Sequence, residues 1–339
     1  SNMNLFIELI TELILRILRV LPPEISSKLS LESLRVLKNL NFNLNQNMSI
    51  PQKSKSINIS GVAFDHYLGL SAGIDKEGKY FNALNSIGFS HIEVGTFTPL
   101  SQKGNSYPRV KRIVKEQSLI NRLGFNNPGI YEGLQNIKKN KKNFSGVLGI
   151  SIGKNKDTSL DDAFKDYNFC LENCFLLADY IAINISSPNT KDLRKLSSLD
   201  YIEDLTREIN LKTKLLEKDH LKKVPIFLKL SPDEDDKNIE KIISTSLSNN
   251  FSGFIISNTT KGTLQGITGG ISGELLKVKS CNLLKKVYGY VGDDIPLIAS
   301  GGISTKYDVS ERLENGAKLI QVYTSFVYKG PRIVKELLI

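Results

Sequence analysis

Tyr180-Ile181-Ala182-Ile183-Asn184-Ile185-Ser186-Ser187-Pro188-Asn189 is an apolar run that ends in amides, hydroxyls and a proline. Its first half offers no polar alternation, so a strand built from it leaves neither face for water. That is the pattern of a parallel sheet covered on both sides. Seven further runs of this kind lie at residues 69–73, 91–97, 147–152, 225–231, 253–259, 296–302 and 319–325. The segments between them have helical periodicity, as in 198–216 and 236–247. Eight strand–helix units predict an α/β fold of the closed (β/α)8 kind, a TIM barrel, over an open sheet. Residues 57–64 precede the first unit and read as a β-hairpin.

Composition is consistent with this. The 339 residues are 40% hydrophobic and 24% charged, with 25 Gly and 11 Pro. Those proportions exclude a disordered, collagenous or membrane-spanning chain. A net charge of +10 permits contact with nucleic acid or an anionic membrane. The densest basic run, Lys138-Lys139-Asn140-Lys141-Lys142, has no interleaved aromatics to stack bases, so it reads as a solvated face and no nucleic-acid partner is expected. Cys170, Cys174 and Cys281 imply no disulfide framework and a reducing compartment. Cys170 and Cys174 sit four apart on a predicted helix, but no neighbouring Cys or His completes a metal site. Ser1-Asn2 ahead of Met3 reads as an expression scar.

The chain before the barrel is different in character. From Leu5 to Leu21 the apolar positions cover a little over half of a helix at ~100° per residue, with Glu8, Thr11, Glu12 and Arg19 opposite and Arg16 at the boundary. Four charges argue against a transmembrane helix, and Glu8 and Glu12 against a signal or transit peptide. Pro22-Pro23 ends this helix, and a second follows with Ile25, Leu29, Leu34, Leu37 and Leu40 as its apolar positions. Such a hairpin either packs on its own domain or lies in a membrane interface and admits an apolar partner; the second reading is preferred. The chain then divides into an N-terminal amphipathic extension (1–41), a polar linker (42–56) and a barrel domain (57–339).

Barrels of this type work at the C-terminal ends of their strands. Those ends read Ala72-Gly73-Ile74-Asp75-Lys76, Gly95-Thr96, Ser151, Asn184 to Asn189, Lys229, Ser257-Asn258-Thr259, Gly301-Gly302 and Tyr323-Thr324. An inserted segment adds Asn121-Arg122-Leu123-Gly124-Phe125-Asn126. Glycines and hydroxyls at the last two strands, with Ser272-Gly273, suit a phosphorylated cofactor because bare backbone N–H groups can approach phosphate oxygens. Asn121, Asn184, Asn189 and Asn258 suit a planar ligand edged with C=O and N–H groups, although each alone is a common turn residue. His66, His91 and His220 fall in a hairpin, at a strand start and in a helix-to-strand loop, toward the bottom of a barrel. A Ser-His-Asp triad or His-bound zinc is therefore not expected, and Ser187 has to act without histidine. Asp75 and Asp233 are candidate Mg²⁺ ligands, but Asp233 after Pro232 is more simply a turn or helix-cap residue.

The runs 72–76, 121–127 and 184–190, with Ser257-Asn258-Thr259-Thr260 and Gly269-Gly270-Ile271-Ser272-Gly273, resemble the dihydroorotate dehydrogenase family over essentially the whole chain. The N-terminal hairpin and a serine at 187 resemble its class 2, the membrane-associated, quinone-reducing branch; class 1 has cysteine there and lacks the extension. The resemblance implies oxidation of (S)-dihydroorotate to orotate in pyrimidine (UMP) biosynthesis, with hydride passing to FMN and electrons to a membrane quinone. It implies a peripheral protein on the cytoplasmic side, touching the membrane surface through its N-terminal helices, with no metal. FMN would be contacted by Ala72, Gly73, Ile74, Asp75, Lys76, Thr96, Ser151, Asn184, Lys229, Ser257, Gly273, Gly302, Tyr323 and Thr324. Dihydroorotate would meet Lys76, Asn121, Arg122, Leu123, Gly124, Phe125, Asn184, Asn189, Asn258 and Thr259, and Ser187 would be the general base. Two positions depart from the family pattern. Ser151 stands where Asn is usual, a lost hydrogen bond worth ~0.5–1.5 kcal/mol, and Ser257 stands for a commoner Thr but keeps the hydroxyl. Two other readings remain: a Schiff-base aldolase built on Lys229, and a non-catalytic membrane-docked scaffold led by the hairpin.

Overall fold

The computed structural model describes residues 16–18, 20–40, 56–190 and 192–338. Most of the predicted first helix and all but the last residue of the predicted linker lie outside them. The strands in chain order are β1 (Ile57–Ile59), β2 (Val62–Phe64), β3 (Leu68–Leu70), β4 (His91–Phe97), β5 (Val110–Ile113), β6 (Ser118–Asn121) and β7 (Val147–Ile152). They continue as β8 (Tyr180–Asn184), β9 (Ile226–Leu230), β10 (Gly253–Ile256), β11 (Thr260–Leu264), β12 (Ile267–Gly273), β13 (Leu297–Ser300) and β14 (Ala317–Val322). β3, β4, β7, β8, β9, β10, β13 and β14 close a parallel barrel. The apolar runs therefore became strands, because every residue of β3, β4, β7, β8, β9, β10 and β13 is buried.

Several runs stop earlier than predicted. β8 ends at Asn184, before the hydroxyls and proline of its run, β10 at Ile256 and not 259, β13 at Ser300 and not 302, and β14 at Val322 and not 325. At β13 the cause is explicit: Gly301 and Gly302 take φ of 105° and 69°, which no extended strand allows. The departing residues turn over the barrel mouth, and the site is built from them.

The predicted hairpin forms, with Ile57 opposite Phe64. It plugs the bottom of the barrel, where Ile59 and Phe64 pack with Val147, Tyr180, Phe227, Ile255, Ile298 and Leu319. His91 is buried there with neither ring nitrogen partnered, its ring edge-on to Phe64. Burial presses its pKa down to about 3, so it is neutral packing material. His66 hydrogen-bonds the carbonyl of Gly88, and His220 is the last residue of the helix Leu199–His220 and not a loop residue.

A second sheet had no forerunner in the sequence reading. β5 and β6, and β11 and β12, are hairpins joined edge to edge in the order β11-β12-β6-β5, antiparallel throughout. It brings Asn121 and Gly273 over the mouth.

The first helix described in full, α1 (Pro23–Asn39), packs Leu31 and Leu34 on the core beside α2 (Phe81–Asn85). Glu24 pairs with Arg109 at 2.8 Å, and the Tyr80 hydroxyl donates to Glu32 at 2.6 Å. These contacts divide the apolar positions of α1. Ile25, Leu29, Val36 and Leu40 all remain exposed, and at ~100° per residue they fall within about 60° of one another, a single stripe facing away from the barrel. No helix among the described residues is long and apolar enough to cross a membrane.

Candidate active site

One cavity opens at the C-terminal end of the barrel beneath the antiparallel sheet. Among the residues singled out from sequence, Ala72, Gly73, Lys76, Thr96, Asn121, Leu123, Gly124, Phe125, Asn184, Ser187, Asn189, Lys229, Ser257, Asn258, Thr259, Gly273, Gly302, Tyr323 and Thr324 line it. Ile74, Asp75, Arg122 and Ser151 do not. Asp75 is buried under its loop, where its carboxylate accepts the backbone N–H groups of Glu77, Lys79, Tyr80 and Phe81 at 2.7–3.3 Å. It shapes the turn that presents Lys76 and is not free for a cation. Ile74 is core. Ser151 is fully buried one layer behind the wall, 2.8 Å from the Thr96 hydroxyl. Arg122 turns into a neighbouring groove beside Lys156 and Lys261 and donates to Ser106.

The amides form two hydrogen-bonded groups. Asn189 donates to Asn121 at 2.8 Å, Asn258 donates to Asn184 at 3.2 Å and to the Ser186 hydroxyl at 3.0 Å, and Asn184 donates to Thr96 at 3.1 Å. Three segments distant in sequence, around Asn121, Asn184–Asn189 and Asn258, thus present amide edges to one space. Each side chain is oriented by the others before any ligand arrives, which reduces the ordering cost of binding. Ser187 is 7% exposed, and its oxygen accepts only the N–H of Asn189, at 3.3 Å. Nearby Thr190 is buried with an unpartnered hydroxyl.

The opposite end of the cavity is glycine and hydroxyl. A Cβ at Gly273 would meet the Gln117 carbonyl at 2.5 Å, and one at Gly302 the Lys277 backbone at 2.3 Å. Chain segments approach there too closely for any side chain, which leaves bare backbone facing the space. Ser325 lines the same end with a buried, unpartnered hydroxyl.

Beneath the cavity, inside the barrel, lies a buried ion pair that sequence reading missed. Lys229 is 3.6 Å from Glu93, which is wholly buried and also accepts from Tyr180 at 3.1 Å and Gln321 at 2.8 Å. Lys76 is partly buried at the cavity wall. Burial lowers its pKa to about 8; Arg109 adds to that, and Glu24 opposes it. Asp233 is a turn residue, as expected, and not the helix cap, a position filled by Asp235, whose side chain accepts the Asn238 N–H at 2.9 Å. It pairs instead with Arg194 and Lys279.

A parallel barrel whose mouth joins a glycine- and hydroxyl-lined end to an amide-lined end is built like an enzyme that holds a phosphorylated cofactor beside a planar substrate. Comparison with known proteins narrows this. The model of the dihydroorotate dehydrogenase family matches residues 54–338. A dihydroorotate dehydrogenase (quinone) of Pectobacterium carotovorum is 39% identical over 324 residues, covering 94% of this chain and 95% of that protein. Another, of Vibrio atlanticus, is 40% identical over 291 residues, covering 84% and 86%. A crystal structure of ligand-free DHODH from Eimeria tenella superposes with a TM-score of 0.80 at 31% identity, covering 91% of this chain and 92% of that one. The chain belongs to the dihydroorotate dehydrogenase family, whose members are flavin oxidoreductases.

Proposed function

We propose that this chain oxidises (S)-dihydroorotate to orotate, a step of pyrimidine biosynthesis, using FMN and passing the electrons to a membrane quinone. The observation that carries the reading is the convergence of Asn121, Asn184, Asn189 and Asn258 with Ser187 at one end of a cavity whose other end suits a phosphate. The bare backbone at Gly273 and Gly302 and the unpartnered hydroxyl of Ser325 fit the phosphate of FMN. Ala72, Gly73, Thr96, Lys229, Ser257, Tyr323 and Thr324 line the space for the ring and its chain. Bound FMN supplies the hydride acceptor.

The protein's own part is positioning and proton transfer. Asn121, Asn189, Asn258 and Thr259 bracket a planar substrate, and Lys76 meets its carboxylate. Ser187 takes the proton from C5, which is acidified by the adjacent carbonyl; amide donors stabilise the charge that grows on that oxygen. A serine hydroxyl accepts a proton only in a closed site with an onward path, and the buried Thr190 hydroxyl or a trapped water provides one. Lys229, backed by Glu93, would help to hold the flavin and would offer positive charge to its reduced form. Residues 1–41 serve as the extension, 42–56 as the linker and 57–339 as the catalytic barrel. The exposed Ile25, Leu29, Val36 and Leu40 stripe supports contact with the cytoplasmic face of a membrane, where a quinone is reached.

A visible spectrum of the purified protein tests this. Dihydroorotate added anaerobically bleaches the flavin band, and a short-chain ubiquinone restores it. A chain lacking residues 1–41 loses the second step more than the first. Protein that stays colourless with added FMN, or does not bleach, would sink the reading.

The pKa of Lys76 gives a pH dependence with a definite sign. Below pH of about 8 the side chain is an ammonium that attracts a carboxylate, and above it an amine that does not. The Kd for orotate, followed by its perturbation of the oxidised flavin spectrum, therefore stays level up to about pH 8. It then rises by up to ~10-fold per unit. Affinity that is flat from pH 7 to pH 10 would exclude Lys76 as the carboxylate partner.

A further inference from the structure

Arg194 stands in the short 3-10 turn Leu193–Ser197 that follows the Ser187 loop, and it does not line the cavity. Its guanidinium nevertheless reaches three loops. Nε donates to the Ser186 carbonyl at 2.9 Å, Nη2 to the Thr259 carbonyl at 2.8 Å, and Nη1 to the Asp233 carboxylate at 2.5 Å. Those acceptors follow β8, β10 and β9. Asp233 is itself held, accepting from the Thr260 hydroxyl at 2.5 Å, the Lys261 N–H at 2.8 Å and the Lys279 ammonium. Burial alone would raise its pKa, but donors from Lys279, Thr260, Lys261 and Arg194 outweigh this and bring it to about 2, so the acceptor is ionised at any working pH.

Ser186, the residue before Ser187, is consequently fixed at every polar group it has. Its N–H donates to Asn184 at 3.2 Å, its hydroxyl receives Asn258 at 3.0 Å, and its carbonyl receives Arg194. The first two partners also line the cavity, and a substrate that engages their amides competes for them. The Arg194 bond comes from behind the wall and persists.

We propose that Arg194 is a positioning residue for proton abstraction. It ties the Ser187 loop to the Thr259 loop, so that base and substrate-binding groups keep one spacing through the reaction. This rests on the assignment of Ser187 as the base. A planar fork with three donors in fixed directions is required, and the point charge of lysine does not replace it. A displacement of about 1 Å at the reacting atoms costs ~100-fold in rate, and that sets the expected scale.

The test uses flavin-loaded full-length enzyme and separates the two half-reactions. In Arg194→Gln the rate of flavin reduction by saturating dihydroorotate falls by ~10- to 100-fold. Orotate affinity changes less than about threefold, and reoxidation by a short-chain quinone is unchanged. Arg194→Lys falls nearly as far. The pH profile of flavin reduction drops at every pH without moving its inflection, because geometry and not ionisation is lost. Flavin reduction at the parental rate in Arg194→Gln, or full rescue by Arg194→Lys, overturns the proposal. If Arg194→Gln does not fold or bind flavin, Asp233→Asn decides: it keeps the arginine but weakens one arm, and should slow flavin reduction several-fold with reoxidation intact. An unaltered rate there also overturns the proposal. Failure of the parent enzyme to bleach with dihydroorotate would instead remove the functional reading itself.

Discussion

Ser187→Ala lowers the rate of flavin reduction by dihydroorotate by ~10²–10⁴-fold, the range for loss of a positioned general base. Flavin content and orotate affinity stay near those of the parent. Ser187 is buried at the amide end of the cavity, with its oxygen engaged only by one long backbone hydrogen bond. Alternatives are few among the described residues. No histidine lines the cavity, and its one carboxylate, Glu274, sits at the glycine end and is tied to Ser304 and Lys277. Removing the hydroxyl therefore takes away the first acceptor of the C5 proton and leaves only the onward path through the Thr190 hydroxyl or a water. Ser187→Cys should retain more of the rate than alanine, because a thiolate accepts a proton in the same place. Stopped-flow absorbance measures both. A parental rate in Ser187→Ala would show that the proton leaves by another route.

Glu93→Gln is expected to destabilise the apoprotein by about 3–5 kcal/mol, the usual cost of breaking a buried pair from one side. The carboxylate is entirely buried and accepts from Tyr180 and Gln321 as well as facing Lys229. The neutral variant strands an ammonium in the barrel interior and loses two charge-assisted hydrogen bonds. Adding Lys229→Gln to Glu93→Gln removes the stranded charge, so the double variant recovers part of the loss. Urea unfolding of the four proteins closes the cycle. A single-variant loss below about 1 kcal/mol, the scale of an exposed pair, or a double variant no better than the single, would mean that the two charges are not coupled.

The site was partly legible because its residues lie where apolar runs end. Gly73, Thr96, Asn184, Lys229, Ser257 and Gly302 could be marked by counting along strands, since a barrel places every strand end on one rim. That counting says nothing about depth. Asp75 and Ser151 occupy equally suitable positions in sequence, yet Asp75 turns under its own loop and Ser151 stands behind Thr96. Arg194 and Glu93 were invisible for a related reason. A lone charge in a run gives no local signal, and each acquires meaning only from partners 65 residues distant, as for Arg194 with Thr259, or 228, as for Glu93 with Gln321.

What amino-acid order settled is what depends on neighbours in the chain: buried strands separated by helices, the hairpin ahead of them, and the strand ends that carry amides and glycines. Parallel closure followed, because strands with two apolar faces have to be covered on both. The second sheet was left to the tertiary structure. β5 and β11 are four and five residues long, and their sequences, Val110-Lys111-Arg112-Ile113 and Thr260-Lys261-Gly262-Thr263-Leu264, carry too few apolar side chains to show a strand pattern. They form because β6 and β12 pair across the mouth and supply the edges on which they add. The division of α1 into a packed side and an exposed stripe was decided the same way. Leu31 and Ile25 are equally apolar on paper, and only the position of the barrel beside the helix, with Glu24 on Arg109 and Glu32 on Tyr80, determines which is covered.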